Sequence, residues 1–189
     1  MSFQRILYVA HDHLNRNCGV LKNANPNTDA ILLVESASMT TGRPWHKERL
    51  FFLISSARHF AAALAEDGFT VRYLKAATTV DGLKAAQKEF GELQIICAEP
   101  SSFRQDAQLK EFGVEFIEND FFLTSRELFK VWADKQKTFV MENFYRAQRT
   151  RLDILMTNGK PEGDRWNYDA ENRLPPPKNY TWPAYLEHF

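Results

Sequence analysis

"DAILLVES", running from Asp29 to Ser36, decides the fold. From Ala30 to Val34 its apolar residues follow one another without alternation. A strand with one wet face would alternate, whereas a continuous run has both faces covered, as in a parallel sheet. Turn-forming residues bound it, "NPNT" before and "ASMTTGRP" after. Working outward, "RILYVA" (Arg5 to Ala10), "TVRYLKA" (Thr70 to Ala76), "QIICAE" (Gln94 to Glu99) and "VEFIEN" (Val114 to Asn119) have the same character.

Between these runs lie helical patterns. Leu50, Ile54, Ala57, Ala61 and Leu64 recur at spacings of three and four and predict a helix over Trp45 to Glu66. Gly68 and Gly113 stand where helices end in a left-handed turn. Further helices are predicted over Val80 to Phe90 and Ser101 to Phe112. Strands alternating with helices predict an α/β fold: a Rossmann-like, doubly wound, five-stranded parallel sheet flanked by helices. Past Asn119 the strands stop, and a C-terminal helical and linker extension follows. Thr124 with Glu127 has capping-box spacing and predicts a helix to about Lys135, and a second is predicted over Val140 to Met156. The expected division is an α/β domain over 1–121, a helical extension over 122–157, and an arm over 158–189.

The chain has 189 residues with equal numbers of basic and acidic side chains, so no global charge draws it to nucleic acid or membrane, though a local patch is compatible with that balance. Cys18 and Cys97 match no metal spacing and no disulfide framework, which favours a reducing cytoplasm. No run reaches the length of a membrane span. Neither a GxGxxG nor a Walker pattern is present, which argues against a dinucleotide dehydrogenase.

In open α/β sheets ligands bind beyond the carboxyl ends of the strands. Two loops there carry polar chemistry: "HDHLN" after the first strand and "ESASM" after the second. Asp12 and Glu35 could accept hydrogen bonds from a polar organic ring. His11, Asp12, His13 and Glu35 could instead serve a metal-dependent hydrolase, but no distant cluster completes a metal site and none is expected. In "FYRAQRTR" (Phe144 to Arg151) the arginines read as the solvated face of an amphipathic helix, with phosphate contact as the alternative.

"LMTNGKPEGDRWNYDAENRLP" (Leu155 to Pro175) resembles a signature of the photolyase-related family, the prokaryotic photolyase/cryptochrome branch that carries an iron–sulfur cluster and includes (6-4) photolyases. "WHKERLFFLISSARHFAAALAEDGFTVRYLK", "AEPSSFR", "FLTSRELFKVWA" and "MENFYRAQR" agree with it in order. The resemblance implies the N-terminal antenna-type domain of a DNA repair flavoprotein, in some members holding 6,7-dimethyl-8-ribityllumazine. That chromophore would lie against His11, Asp12, Val34, Glu35 and Met39. It also implies that Trp166, Asn167, Tyr168, Asp169, Glu171, Asn172 and Arg173 face a C-terminal catalytic domain, in cis or in trans. Because the chain stops just past the signature, FAD and the 4Fe–4S cluster are not expected in it, catalysis alone is not expected, and DNA would be reached only through the missing domain. Relatives often read Gly-Asp-Gln-Leu in the first loop, where this chain has His11, Asp12, His13 and Leu14, and an imidazole crowds a position that glycine leaves open. The competing expectation is a stand-alone binding or interaction protein without the chromophore. Trp166, Tyr168, Tyr180 and Trp182 are expected to be exposed.

Overall fold

The computed structural model describes residues 3–169 and 175–181. Two compact units divide the chain, Met1–Glu127 and Leu128–Phe189.

In the first unit five parallel strands form one sheet: β1 (Arg5–Tyr8), β2 (Asp29–Ser36), β3 (Thr70–Ala76), β4 (Gln94–Ala98) and β5 (Glu115–Ile117). Their order is β3-β2-β1-β4-β5, so the chain winds outward from β1 and then returns to its other side. The predicted doubly wound sheet is present. The continuous apolar run of β2 is buried from Asp29 to Val34, as two covered faces require. Alternate residues divide between two cores. Ile6, Tyr8, Leu32 and Val34 pack with Leu83 and Ala86 of α3 (Thr79–Phe90) and Leu109 of α4 (Phe103–Phe112). Leu7, Val9, Ile31 and Leu33 pack with Ala57, Ala61 and Leu64 of α2 (Lys47–Glu66). At one point the fit demands glycine: a Cβ on Gly82 of α3 would lie 2.5 Å from Val34 Cγ1.

The helix ends follow local chemistry. Thr78 and Asp81 form a reciprocal capping box on α3. Gly68 and Gly113 take positive φ values, 91° and 89°, after α2 and α4. A short helix, α1 (Ala37–Thr41), lies between β2 and α2 with Ser36 as its N-cap.

The first half of α2 departs from the expected stripe. Ala57, Ala61 and Leu64 are buried, but none of residues 43–56 is, and Phe51 and Phe52 are 75% and 67% exposed. Only the C-terminal half of the helix lies over the sheet.

Across the boundary of the units, α5 (Arg126–Ala133) begins one residue later than the capping-box spacing suggested, and in the second unit α6 (Met141–Leu152) stops four residues before Met156. Asp153 (φ 54°) ends α6 in the left-handed region, and a hairpin follows, β6 (Met156–Thr157) with β7 (Lys160–Pro161). Asn158 and Gly159 join its strands with φ 52° and 75°, the paired positive values of a tight hairpin turn. The Asn-Gly dipeptide was the signal in the sequence, overridden by the helical spacing before it.

Candidate functional site at the carboxyl ends of the sheet

His11 and His13 leave β1 in different directions. The His11 ring lies nearly parallel to Tyr73 of β3, with centroids 6.3 Å apart and planes 9° from parallel. His13 is buried and stacks on Phe121 at 4.6 Å, with its Nε2 3.4 Å from the Asn119 amide. Burial lowers the pKa of both imidazoles and outweighs the opposing pull of nearby carboxylates, Glu35 and Asp12 for His11 and Asp12 for His13. Among the described residues no three His, Cys, Asp or Glu side chains converge on a metal. The hydrolase constellation of His11, Asp12, His13 and Glu35 is therefore not assembled, because the imidazoles diverge and Asp12 is exposed.

Glu35 lies on the α2 face of β2 and is held from two sides. Arg58 of α2 donates to both of its oxygens at 2.7 to 3.0 Å, and the Tyr73 hydroxyl donates at 2.8 Å. Burial alone would raise the Glu35 pKa, but these hydrogen bonds and the Arg58 charge bring it below the ordinary value. Tyr73 is pushed up to about 12, first by burial and then by Glu35, so it remains a donor. Neither Arg58 nor Tyr73 was among the sequence candidates. Arg58 follows the buried Ala57 on α2, and only the docking of that helix on β2 and β3 reveals its partner.

His11 is the unsatisfied member: both ring nitrogens are buried and neither has a hydrogen-bond partner among the described residues. Leaving a buried polar group unpaired costs about 1–3 kcal/mol. Val34 does not join this group, since its side chain points to the other face of the sheet against Gly82. Met39 lies at the rim in α1, its carbonyl accepting the Trp45 indole N–H at 2.9 Å. His11, Glu35, Tyr73 and Arg58 thus form one cluster, with Asp12 beside His11 and Val34 on the opposite face of β2, while Met39 lies in α1 after the strand.

A second polar site lies where β4 and β5 end. Arg126 donates to Glu99 (2.8 Å), Asp106 (3.1 Å) and the Pro100 carbonyl (2.6 Å). Beside it a cavity of about 240 Å³ is lined by Glu99, Ser101, Asn119, Phe122, Ser125 and Arg126. Its guanidinium is committed to two carboxylates, which makes it a strut between loops.

The second unit seats the signature motif on α6. Arg149 is buried and donates to the carbonyls of Ile154 (3.1 Å), Trp166 (3.1 Å) and Leu155, and to the Tyr145 hydroxyl (3.1 Å). Its guanidinium and that of Arg146 lie over the Trp166 ring at 5.6 and 5.3 Å. Glu142 completes the group, accepting from Arg146 and from the Asn167 amide. The arginine row is therefore not a solvated face at Arg149, because its fork of donors serves the carbonyls of Ile154 and Trp166 and shares that of Leu155 with the Glu162 amide. A Cβ on Gly163 would meet the Tyr168 hydroxyl at 2.4 Å, so "EGDRWNYD" closes on itself. Trp166 is half-buried here, whereas Tyr168 and Tyr180 are 66% and 48% exposed. Asp169 lines the 840 Å³ groove beside Trp166 and Tyr168. Glu171, Asn172, Arg173 and Trp182 lie outside the described residues.

These features define a Rossmann-like α/β module, with its polar cluster at the strand carboxyl ends, followed by a small helical unit that folds a Trp-Asn-Tyr-Asp motif onto an arginine. The chain belongs to the family of deoxyribodipyrimidine photo-lyase-related proteins, whose model matches residues 7–188. It is similar to a (6-4) photolyase of Agrobacterium fabrum, with 31% identity over 183 residues covering 90% of this chain. It is also similar to an uncharacterized protein of Acanthamoeba polyphaga mimivirus, 25% identical over 136 residues that cover 66% of this chain and 69% of that protein. This chain spans 36% of the length of the Agrobacterium photolyase. No helix among the described residues is long and apolar enough to cross a membrane.

Proposed function

We propose that the chain is the antenna-type α/β portion of a photolyase-related DNA repair protein, holding a lumazine ring at the carboxyl ends of β1 and β2 and not catalysing repair by itself. His11 carries the reading. Its two buried, unpartnered nitrogens offer one donor and one acceptor to a ring that bears both amide N–H and carbonyl groups. Asp12, exposed beside it, is free to accept from such a ring or its ribityl hydroxyls. Glu35 acts indirectly here: it orients Arg58 and Tyr73, and through Tyr73 the surface on which His11 rests. Val34 supports β2 from the far side, and Met39 supplies an apolar edge. 6,7-Dimethyl-8-ribityllumazine, when bound, supplies absorption of light and transfer of the excitation.

The 36% span on the Agrobacterium photolyase supports a further portion that would carry FAD, the 4Fe–4S cluster and the repair reaction, in cis or in trans. Exposed Tyr168 and Tyr180 are the side chains of the arm offered to it. A reducing cytoplasm suits the two free thiols, Cys18 and Cys97.

The test is a visible absorption spectrum of the purified chain with added lumazine, and a mass measurement on the molecule released by denaturation. A bound lumazine that is lost in His11→Ala is the expected result. A second reading, an α/β binding module without a chromophore, is favoured by one observation: Arg58 already holds both Glu35 oxygens. A colourless protein that takes up no lumazine would select it.

A further inference from the structure

Backbone strain in this molecule gathers in one stretch. The four non-glycine residues of positive φ among those described, Asp153, Leu155, Asn158 and Asp164, all lie within 153–164. Leu155 is the costliest of them, since its Cβ crowds the following carbonyl and no short polar side chain compensates. What holds the stretch is slight. The hairpin has two register pairs, Met156 with Pro161 and Thr157 with Lys160. The Leu155 carbonyl accepts from the Glu162 amide at 2.9 Å and from the Arg149 guanidinium. At the tip stand Asn158 and Gly159, both exposed. The Asn158 side chain makes no hydrogen bond with any described residue, and a Cβ added at Gly159 would meet nothing within 4 Å. An unscreened backbone nitrogen thus follows a free side-chain amide.

We propose that Asn158 is a modification site that opening of the hairpin uncovers, and that its isoaspartyl product keeps the β6–β7 turn from closing again. The Gly159 nitrogen attacks Asn158 Cγ, and the new C–N bond closes a five-membered succinimide. The side-chain nitrogen leaves as ammonia, taking the proton that the Gly159 nitrogen gives up. Water then opens the ring at either carbonyl, to aspartate or to isoaspartate. Water is the only co-reactant, and nothing is oxidised or reduced. Glycine in the second position favours the step, because it has no Cβ to block the approach and reaches the backbone angles of the ring. The closed turn opposes it. With both central residues at positive φ the turn is the mirror image of type I, so ψ of Asn158 is positive as well. That angle places the Gly159 nitrogen on the side of Cα away from Cβ. Cyclisation therefore waits for the hairpin to open, and its rate follows the open fraction. The two products differ in consequence. Aspartate keeps the turn, since Asp-Gly suits the same angles as Asn-Gly. Isoaspartate routes the chain through Cγ and adds a backbone atom, which a two-residue turn between two-residue strands cannot absorb. The Leu155 carbonyl then loses the Glu162 amide, and the segment leading into Trp166 comes loose. The lumazine reading plays no part in this, because its residues lie in the first unit.

The full chain and a free peptide of residues 155–161 are incubated side by side in mildly alkaline buffer. Conversion at Asn158 is followed by peptide mass mapping, with isoaspartate told from aspartate by its separate elution. Expected is conversion in the chain at least about tenfold slower than in the peptide. Arg149→Lys, which loosens the stretch, speeds it severalfold at unchanged far-UV circular dichroism. Urea well below the midpoint of the sheet does the same without a substitution. Asn158→Asp removes the mass change and retains the turn. Chain isolated after conversion to isoaspartate is cut by protease between Asp153 and Tyr168 faster than Asn158→Asp. The proposal is overturned by conversion as fast in the chain as in the peptide, or by none in the chain even in dilute urea. It is equally overturned by a rate that neither Arg149→Lys nor dilute urea raises, or by isoaspartyl chain cut no faster than Asn158→Asp.

Discussion

In residues 1–127 the interior is branched aliphatic: Ile6, Ile31, Leu32, Leu33, Leu83 and Leu109 are each 0% exposed. In the second unit the one buried residue among those described is a cation, Arg149. Apolar burial is non-directional and additive, so the sheet draws on many interchangeable contacts. The helical unit relies on one guanidinium whose donors have fixed directions, and on Phe144 set edge to face against Phe129 and Trp132. The difference teaches where tolerance lies: a sheet core accepts an apolar replacement of similar volume, while the arginine hub accepts none, lysine included.

The largest expected effect is in the sheet. Leu33→Ala removes a side chain packed between β2 and α2 and is expected to cost about 3 kcal/mol, read as a lower urea midpoint by far-UV circular dichroism, with Leu33→Ile costing under about 1.5 kcal/mol. Near-equal midpoints for the two variants would break the comparison from the sheet side.

Next in size is Arg149→Lys, which keeps the charge and loses the fork. Stranded carbonyls at Ile154 and Trp166 are expected to cost about 2 kcal/mol locally. The readout is faster proteolytic cleavage between Asp153 and Tyr168. Cleavage as slow as in the parent chain would mean that the aromatic contacts, and not the guanidinium, hold the motif.

Smallest is a pH effect on the ion pair that joins β1 to β2. Asp29 is buried at the start of β2 and accepts from Arg5 at 2.9 and 3.0 Å and from the Asn25 amide at 2.8 Å. Burial pushes its pKa up, but Arg5 and the amide outweigh that, and the folded value lies below the ordinary one. A depressed carboxyl pKa stabilises the fold above the unfolded value, near 4, and this stabilisation is lost as pH falls through the folded value. Urea midpoints at pH 6 and pH 3 are therefore expected to differ less in Asp29→Asn than in the parent chain. An unchanged difference would assign the acid sensitivity to other carboxylates.

Much of this was legible beforehand, for reasons that differ by element. The five strands and α2, α3 and α4 could be read because burial on two faces or on one stripe imposes its period directly on the residues. The hairpin at Asn158 and Gly159 was lost because the apolar spacing of Leu152, Leu155 and Met156 continued a helix that Asp153 had already ended. His11, Glu35 and Asp12 could be named, since strand carboxyl ends collect ligands, but their roles could not. Nothing in the order of residues says that Arg58 and Tyr73 would take Glu35, or that His11 and His13 would part.

By itself, then, the sequence determined the layers: which segments are buried on both faces, which on one, how helices alternate with the strands, and which family the blocks belong to. Those properties depend on neighbours a few positions away, and periodicity records them. Only the tertiary structure decided that Arg58 and Tyr73 take Glu35, that Arg149 serves three carbonyls, and that the first half of α2 overhangs the sheet with Phe51 and Phe52 in solvent. Each of these depends on where a distant segment comes to rest, and hydrogen-bond directions and steric fit at that contact are not written in the spacing of either partner.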